Sequence, residues 1–207
     1  MTTHVYIDGF NLYYRALKGT PYKWLDLEKL CAVMLPGHTI NRIHYFTAKV
    51  KSPAHDPDAG NRQQVYLRAI ATLPKVQIHY GHFLESTPRM PAANPPPNTV
   101  EVIKREEKGS DVNLATCLLV DAFRGNADTF VVVTNDSDLK MPLSVVRNEL
   151  GLKTGLLNPA TKSSKALMAC NPSFFKRIRP STLAACQLPN PVITPDGKHL
   201  TKPATWP

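Results

Sequence analysis

Four aspartates stand at places where chemistry is expected. Asp8 closes the run Tyr6-Ile7-Asp8-Gly9-Phe10-Asn11, Asp111 follows Lys108-Gly109-Ser110, and Asp136 and Asp138 lie in Thr134-Asn135-Asp136-Ser137-Asp138. Carboxylates crowded together repel, and they hold their protons to higher pH unless a cation sits among them. A hard divalent ion such as Mg²⁺ or Mn²⁺ takes oxygen ligands and removes that repulsion. It also activates or orients a water and neutralises charge on a phosphodiester and its leaving oxygen. The chemistry open to this set is phosphodiester hydrolysis, with water attacking in line to leave a 5′-phosphate and a 3′-hydroxyl. That route does not use the 2′-hydroxyl, so single-stranded DNA stands beside RNA as a substrate.

Each aspartate also has a plainer use. Asp8-Gly9 reads as a turn, Asp111 suits a helix N-terminus, and Asp136 or Asp138 suits a cap on the next helix. Singly, capping explains each one better. Jointly, it does not explain why all four fall after strands or at helix starts on one expected edge. Asn11 either caps its helix or orients a water and a phosphate. Thr134, Asn135 and Ser137 are placed to hold the carboxylates in position. Asp121, ten residues beyond Asp111, would lie about 15 Å further along a helix, which points to a solvent or loop contact.

The elements needed to position these residues alternate between strand and helix. Strands are expected at His4–Ile7, Thr39–Lys49, Val76–Phe83, Thr129–Thr134 and Leu152–Leu157. Helices are expected from about Asn11, at Asp26–Leu35, Asn61–Thr72, Ser110–Phe123 and Leu139–Leu150, with a short one at Ser163–Ala169. Glu85–Thr99, with its Pro95-Pro96-Pro97 run, reads as an exposed excursion, and Pro189–Pro207 as an extended tail. Strands joined by helices of this length imply an α/β fold with a mainly parallel central sheet and helices on both faces. Ligands bind such sheets outside the carboxyl ends of the strands, where the aspartates fall. The organisation expected is one domain over residues 1–170 and a proline-punctuated basic extension over 171–207.

The net charge of +9 is concentrated at one end. Lys140 to Pro207 contributes +8, while the rest of the chain is nearly neutral. A basic third beside acidic motifs suits a polyanion brought to a metal, although a solvated surface accounts for charge alone equally well. Lys108, Lys140, Lys162, Lys165, Lys176, Arg177 and Arg179 are the candidate backbone contacts. Tyr13 and Tyr14 either stack bases or pack the core. The seven histidines show no zinc spacing, and His79 and His82 read as structural or surface residues. Cys31, Cys117, Cys170 and Cys186 are too irregularly spaced for a metal pair and read as reduced thiols of a cytoplasmic protein. No apolar run reaches a membrane span, and no secretory leader is visible at the N-terminus. The glycines form neither a Walker loop nor a dinucleotide fingerprint.

At YIDGFNLYY, EKGSDVNLATCLLVDAF and VVVTNDSDLKMPL the chain resembles the NYN family of PIN-like nucleases, in particular its LabA-like bacterial branch. The likeness runs from about Val5 to Leu157. It implies a Rossmann-like, PIN-like fold and a metal-dependent ribonuclease site. In that site Asp8, Asp111, Asp136 and Asp138 form the acidic cluster and Asn11 is its polar companion. FFKRIRPSTLAACQLP and KPATW resemble C-terminal extensions of that branch. Asn135 stands where related sequences often have glycine, and both suit a tight bend. The expected function is thus an endoribonuclease using Mg²⁺ or Mn²⁺, with room for a homodimer. The rival is a non-catalytic RNA-binding module on the same surface. A phosphatase acting through Asp136-Ser137-Asp138 ranks last.

Overall fold

The computed structural model describes residues 1–206. The chain runs β1 (Thr2–Asp8), α1 (Gly9–Leu12), α2 (Leu27–Met34), β2 (Thr39–Thr47), α3 (Ala59–Ile70), β3 (Val76–Tyr80), β4 (His82–Ser86), β5 (Arg89–Pro91), β6 (Thr99–Glu101) and β7 (Lys104–Lys108). It continues through α4 (Ser110–Arg124), β8 (Thr129–Val133), α5 (Lys140–Ser144), β9 (Lys153–Asn158), α6 (Lys165–Met168), β10 (Phe174–Arg177), α7 (Pro180–Ala185), β11 (Val192–Ile193) and β12 (His199–Leu200). Wider π-helical turns extend α1 through Tyr13–Leu17 and α5 through Val145–Glu149.

Six strands form one sheet in the order β10-β9-β8-β1-β2-β3, and every pairing in it is parallel. The α/β class expected from the alternation of elements is the one observed. Alternate residues of the inner strands feed two cores. Val5, Ile7, Ile43, Val131 and Val133 pack beneath α2, α3 and α7. Tyr6, Phe46, Phe130 and Val132 pack against Leu114 and Leu118 of α4, Leu143 of α5 and Leu167 of α6. Strands covered on both faces must be apolar throughout, which is why Thr129–Val133 is buried at every position.

From β1 the chain winds outward one way through β2 and β3, then returns to β1's other side as β8 and winds the opposite way. The reversal falls between β1 and β8, and a crevice opens there at the carboxyl ends of the two strands. No helix among the described residues is long and apolar enough to cross a membrane.

Three stretches differ from their sequence patterns. Val76–Phe83 alternates as one strand but divides at Gly81, whose N–H makes a last bond to Thr47 O at 2.8 Å. Beyond it, β4 leaves the sheet and pairs antiparallel with β7. The proline-rich excursion is exposed as expected, yet it is ordered by this ladder and by the β5–β6 ladder at its tip. The C-terminal stretch supplies the edge strand β10, where Phe174 pairs with Gly155. Edge position explains its polar Lys176-Arg177 end, which does not read as a sheet strand. Beyond α7 the chain folds back instead of extending. Val192 and Leu200 enter the core, and the Trp206 ring lies 6.4 Å from Trp24 and 6.1 Å from Tyr66.

Candidate metal-binding cleft

Asp8 is the last residue of β1 and is only 4% exposed. Its Oδ1 accepts from Asn11 N at 2.9 Å, so it does cap α1, and its Oδ2 accepts from Thr134 Oγ1 at 2.9 Å. The cap reading and the cleft reading are thus both satisfied by one side chain. α1 can turn this tightly over β2 only because residue 9 is glycine. A Cβ there would stand 2.6 Å from Phe46 O and 2.7 Å from the Tyr45 ring.

The turn after β8 is built from hydrogen bonds made by its own polar residues. Asp136 N donates to Thr134 Oγ1 at 3.0 Å, and Asp138 N donates to Asp136 Oδ1 at 3.0 Å. Asn135 N donates to Asn11 Oδ1 at 3.0 Å, and Asn135 Oδ1 accepts from Ser164 N at 2.8 Å. Asn135 is not among the residues with positive φ. It acts as a clasp between α1 and the start of α6, not as a substitute for a glycine bend.

Asp111 comes from a third direction. Gly109, at φ +94°, swings the chain from β7 into α4, a conformation that glycine adopts without strain. Asp111 then lies in the first turn of the helix. Glu107 steadies this junction by accepting from Ser110 N at 3.0 Å and from Ser110 Oγ at 2.8 Å.

Asp8, Asp111, Asp136 and Glu107 line one cleft of about 410 Å³, together with Asn11. Phe10, Tyr14, Phe83 and Arg15 complete its wall, with Phe10 edge-on to Phe83 at 5.9 Å. Burial pushes the Asp8 carboxyl up to about 6. The charges of Asp111 and Asp136 act in the same direction, against the hydrogen bonds from Asn11 and Thr134. Burial also raises Asp111, assisted by Asp136, Glu107 and Asp138. These are groups that share a field. Among the described residues, however, no three of these carboxylates bring oxygens within 4.8 Å of one another. A divalent ion here would be held by one or two carboxylates directly and by the others through water, a habit of Mg²⁺.

Of the residues expected at the site, Asp8, Asn11, Asp111 and Asp136 meet in the cleft, with Thr134 and Asn135 behind them. Asp138 and Ser137 are exposed on the following turn and are not in the lining. None of the seven candidate phosphate contacts lines the cleft. Lys108, Lys140, Lys162, Lys165, Arg177 and Arg179 lie on the exposed surface, and Lys176 Nζ donates to Met34 O at 2.8 Å. The cation that does line it is Arg15, which no motif singled out. Glu107 was likewise unread, although it opens the EKGSD run and stands three residues before Ser110. Asp121 is away from the cleft, as its helical distance requires, but it is no solvent contact. It is 8% exposed and accepts from Tyr6 Oη at 2.7 Å and from Asn126 Nδ2 at 2.7 Å.

A second cavity, of about 290 Å³, adjoins the first through Phe10 and Tyr14. Tyr13, Tyr45, Tyr66 and Trp206 give it aromatic walls, and Lys18 and Lys23 give it positive charge beside the Arg62–Asp56 ion pair.

A parallel sheet with an acidic crevice at its winding reversal defines a class of α/β proteins that collect carboxylates at strand ends. Within that class the chain belongs to the NYN domain family, which matches residues 2–179. Over its whole length it is 32% identical to 6-hydroxy-3-succinoylpyridine 3-monooxygenase HspA of Pseudomonas putida, of which it spans 75%. It is also similar in fold to a protein of unknown function from Vibrio parahaemolyticus. That likeness has a TM-score of 0.55 at 15% identity and covers 90% of this chain and 96% of the other.

Proposed function

We propose that the chain is a metal-dependent ribonuclease that hydrolyses phosphodiester bonds in the acidic cleft. The observation that carries this reading is the meeting of Asp8, Asp111 and Asp136, from three remote segments, in one cleft where burial and the neighbouring carboxylates raise Asp8 and Asp111. An all-oxygen donor set under mutual repulsion fits Mg²⁺ or Mn²⁺. When bound, the ion supplies a water of lowered pKa and neutralises charge on the phosphodiester. Thr134 and the Asn11 N–H hold the Asp8 carboxylate in one orientation. The Asn135 N–H fixes the Asn11 side chain, so its amide is presented to the cleft without freedom to turn. Arg15 is placed to meet a substrate phosphate at the cleft wall. Tyr14, 59% exposed, offers a face on which a base can stack. We read the segments after β10 as the extension of the LabA-like branch.

The test is cleavage of labelled RNA and single-stranded DNA by the full chain with Mn²⁺, beside Asp8→Asn. Cleavage by the wild type that falls at least about 100-fold in the variant is the expected result, since one removed transition-state contact of this kind costs about that much. RNA bound but left intact by both proteins would support a binding module instead.

A second reading is favoured by the adjoining cavity. Its aromatic walls, and Lys18 and Lys23 beyond the Arg62–Asp56 ion pair, suit a small heteroaromatic carboxylate. The name of the Pseudomonas putida relative specifies a hydroxypyridine carrying a succinoyl group. Titration of Trp206 fluorescence with 6-hydroxy-3-succinoylpyridine separates the readings. Saturable quenching that disappears in Arg62→Ala would favour the small-molecule substrate.

A further inference from the structure

On the α4 face of the sheet, two residues back from the cleft, three strands and one helix bring together His4, His44, His79, Cys117 and Asp121. His44 Nδ1 lies 2.9 Å from His79 Nε2 and 3.7 Å from Cys117 Sγ. These three atoms all lie within 4.8 Å of one another. On its other side, His44 Nε2 faces Asp121 Oδ2 at 3.4 Å. It is buried and has no hydrogen-bond partner, because the carboxylate is near but not aligned.

We propose that His44 Nδ1, His79 Nε2 and Cys117 Sγ form a zinc site with a fourth position open to water. Around a tetrahedral ion, nitrogen ligands sit about 2.0–2.1 Å and sulfur about 2.3 Å from the metal, so ligand atoms are separated by about 3.4–3.6 Å. The separations of 2.9 and 3.7 Å bracket those values. Two imidazoles and one thiolate are borderline-soft donors that select Zn²⁺ over the hard ions suited to the acidic cleft.

Proton placement accommodates the ion. With metal on Nδ1, the His44 proton must sit on Nε2, where it turns toward Asp121 Oδ2. That is the carboxylate–histidine–metal arrangement that orients ligating imidazoles. Without metal, one of the two ring nitrogens facing each other at 2.9 Å must carry the proton. When His79 carries it on Nε2, the His44 proton stays on Nε2 facing Asp121, so the metal would displace the His79 proton and leave the His44 tautomer unchanged. On binding, Cys117 loses its thiol proton to solvent, and the Zn–S and Zn–N bonds replace water ligands of the ion.

The frame is rigid. His44 and His79 are on neighbouring strands β2 and β3, and Cys117 and Asp121 are one turn apart on α4. His79 and Cys117 are half-buried, which gives the ion access. This site rests on no part of the nuclease reading.

The test uses the full chain freed of metal with a chelator. Zn²⁺ is titrated in competition with a chromophoric chelator, and Co²⁺ is then used as a spectroscopic replacement. The proteins are wild type, an Asp8→Asn/Asp111→Asn double variant, Cys117→Ser and His79→Gln. One equivalent of zinc is expected in the first two. Tetrahedral cobalt should give intense visible bands and a thiolate-to-cobalt charge-transfer band in the near ultraviolet. Cys117→Ser should abolish the charge-transfer band, and both single variants should weaken zinc binding by more than the roughly 10–100-fold that loss of a supporting outer partner costs. Circular dichroism checks folding, and His79→Gln carries the test where Cys117→Ser does not fold. A wild type without the charge-transfer band, a band that survives Cys117→Ser, or zinc lost with the cleft aspartates would each overturn the proposal.

Discussion

Thr134 Oγ1 donates to Asp8 Oδ2 at 2.9 Å and accepts from Asp136 N at 3.0 Å. One buried hydroxyl thereby locks two aspartates of the cleft into register. Thr134→Val keeps the shape and removes both bonds, leaving a buried N–H and a carboxylate oxygen short of partners. A stability loss of about 1–3 kcal/mol is expected by denaturant unfolding. The pH–rate profile supplies the second reading. Without the Thr134 donor the Asp8 carboxyl rises above about 6, so the acid limb of cleavage should shift to higher pH.

Asp8 itself opposes folding when it is ionised and no metal is present. Its folded value of about 6 exceeds the ordinary carboxylate value of about 3.9. The native state therefore holds more protons between about pH 4 and 6, so stability falls as pH rises through that window and stays low above it. Asparagine keeps the bond from Asn11 N on its Oδ1 and reverses the other, its Nδ2 donating to Thr134 Oγ1, without the charge. Metal-free Asp8→Asn should exceed wild type by roughly 2 kcal/mol at pH 7.5, several degrees in Tm, and should flatten the slope between pH 4 and 6. Added Mn²⁺ should raise the Tm of wild type and leave the variant unmoved. A variant melting at or below wild type at pH 7.5 would contradict the burial and repulsion argued for this carboxylate.

Gly9→Ala tests the closeness of α1 to β2. The added methyl meets a backbone oxygen, Phe46 O, that cannot move aside cheaply. Overpacking of this kind costs about 1–3 kcal/mol. Because α1 must lift, the bond from Asn135 N to Asn11 Oδ1 should open. Cleavage should therefore fall further than the loss of folded protein explains, as a comparison of activity with native fraction at each temperature would reveal.

Tyr6→Phe removes a donor from Asp121. Burial pushes this carboxyl up, but hydrogen bonds from Tyr6, Asn126 and His4 outweigh it and hold the group below its usual range. A depressed acid contributes stability that is present above about pH 3.9 and is lost as pH falls through its folded value. The variant should lose about 1 kcal/mol at neutral pH. Its acid unfolding, followed by far-ultraviolet circular dichroism, should begin at higher pH than that of wild type.

The elements that carry the cleft were legible because their patterns are local. The all-apolar β8, the 3.6-residue period of α4 and the turn residues after β1 each announce themselves within a short window. Asp8 and Asp136 then follow from the strand-end rule, and Asp111 from its place at a helix start. Register is not local, and what depends on it stayed hidden. His4, His44 and His79 are isolated along the chain, and only the parallel pairing of β1, β2 and β3 sets them side by side under Cys117. Arg15 escaped notice for a related reason, since a helix carries it past two aromatics to the mouth of the cleft. The edge strand β10 is polar because one of its sides lacks a neighbour, and that erases the pattern a central strand would display.

The bond from Thr134 to Asp8 spans 126 residues, and β1 cannot complete its second ladder until β8 has been synthesised. Contacts of such long range close late, because the intervening chain must first be ordered. An unfinished polypeptide still emerging from the ribosome consequently has only one wall of its cleft. The cleft that the two walls form is complete only once translation has passed the second of them.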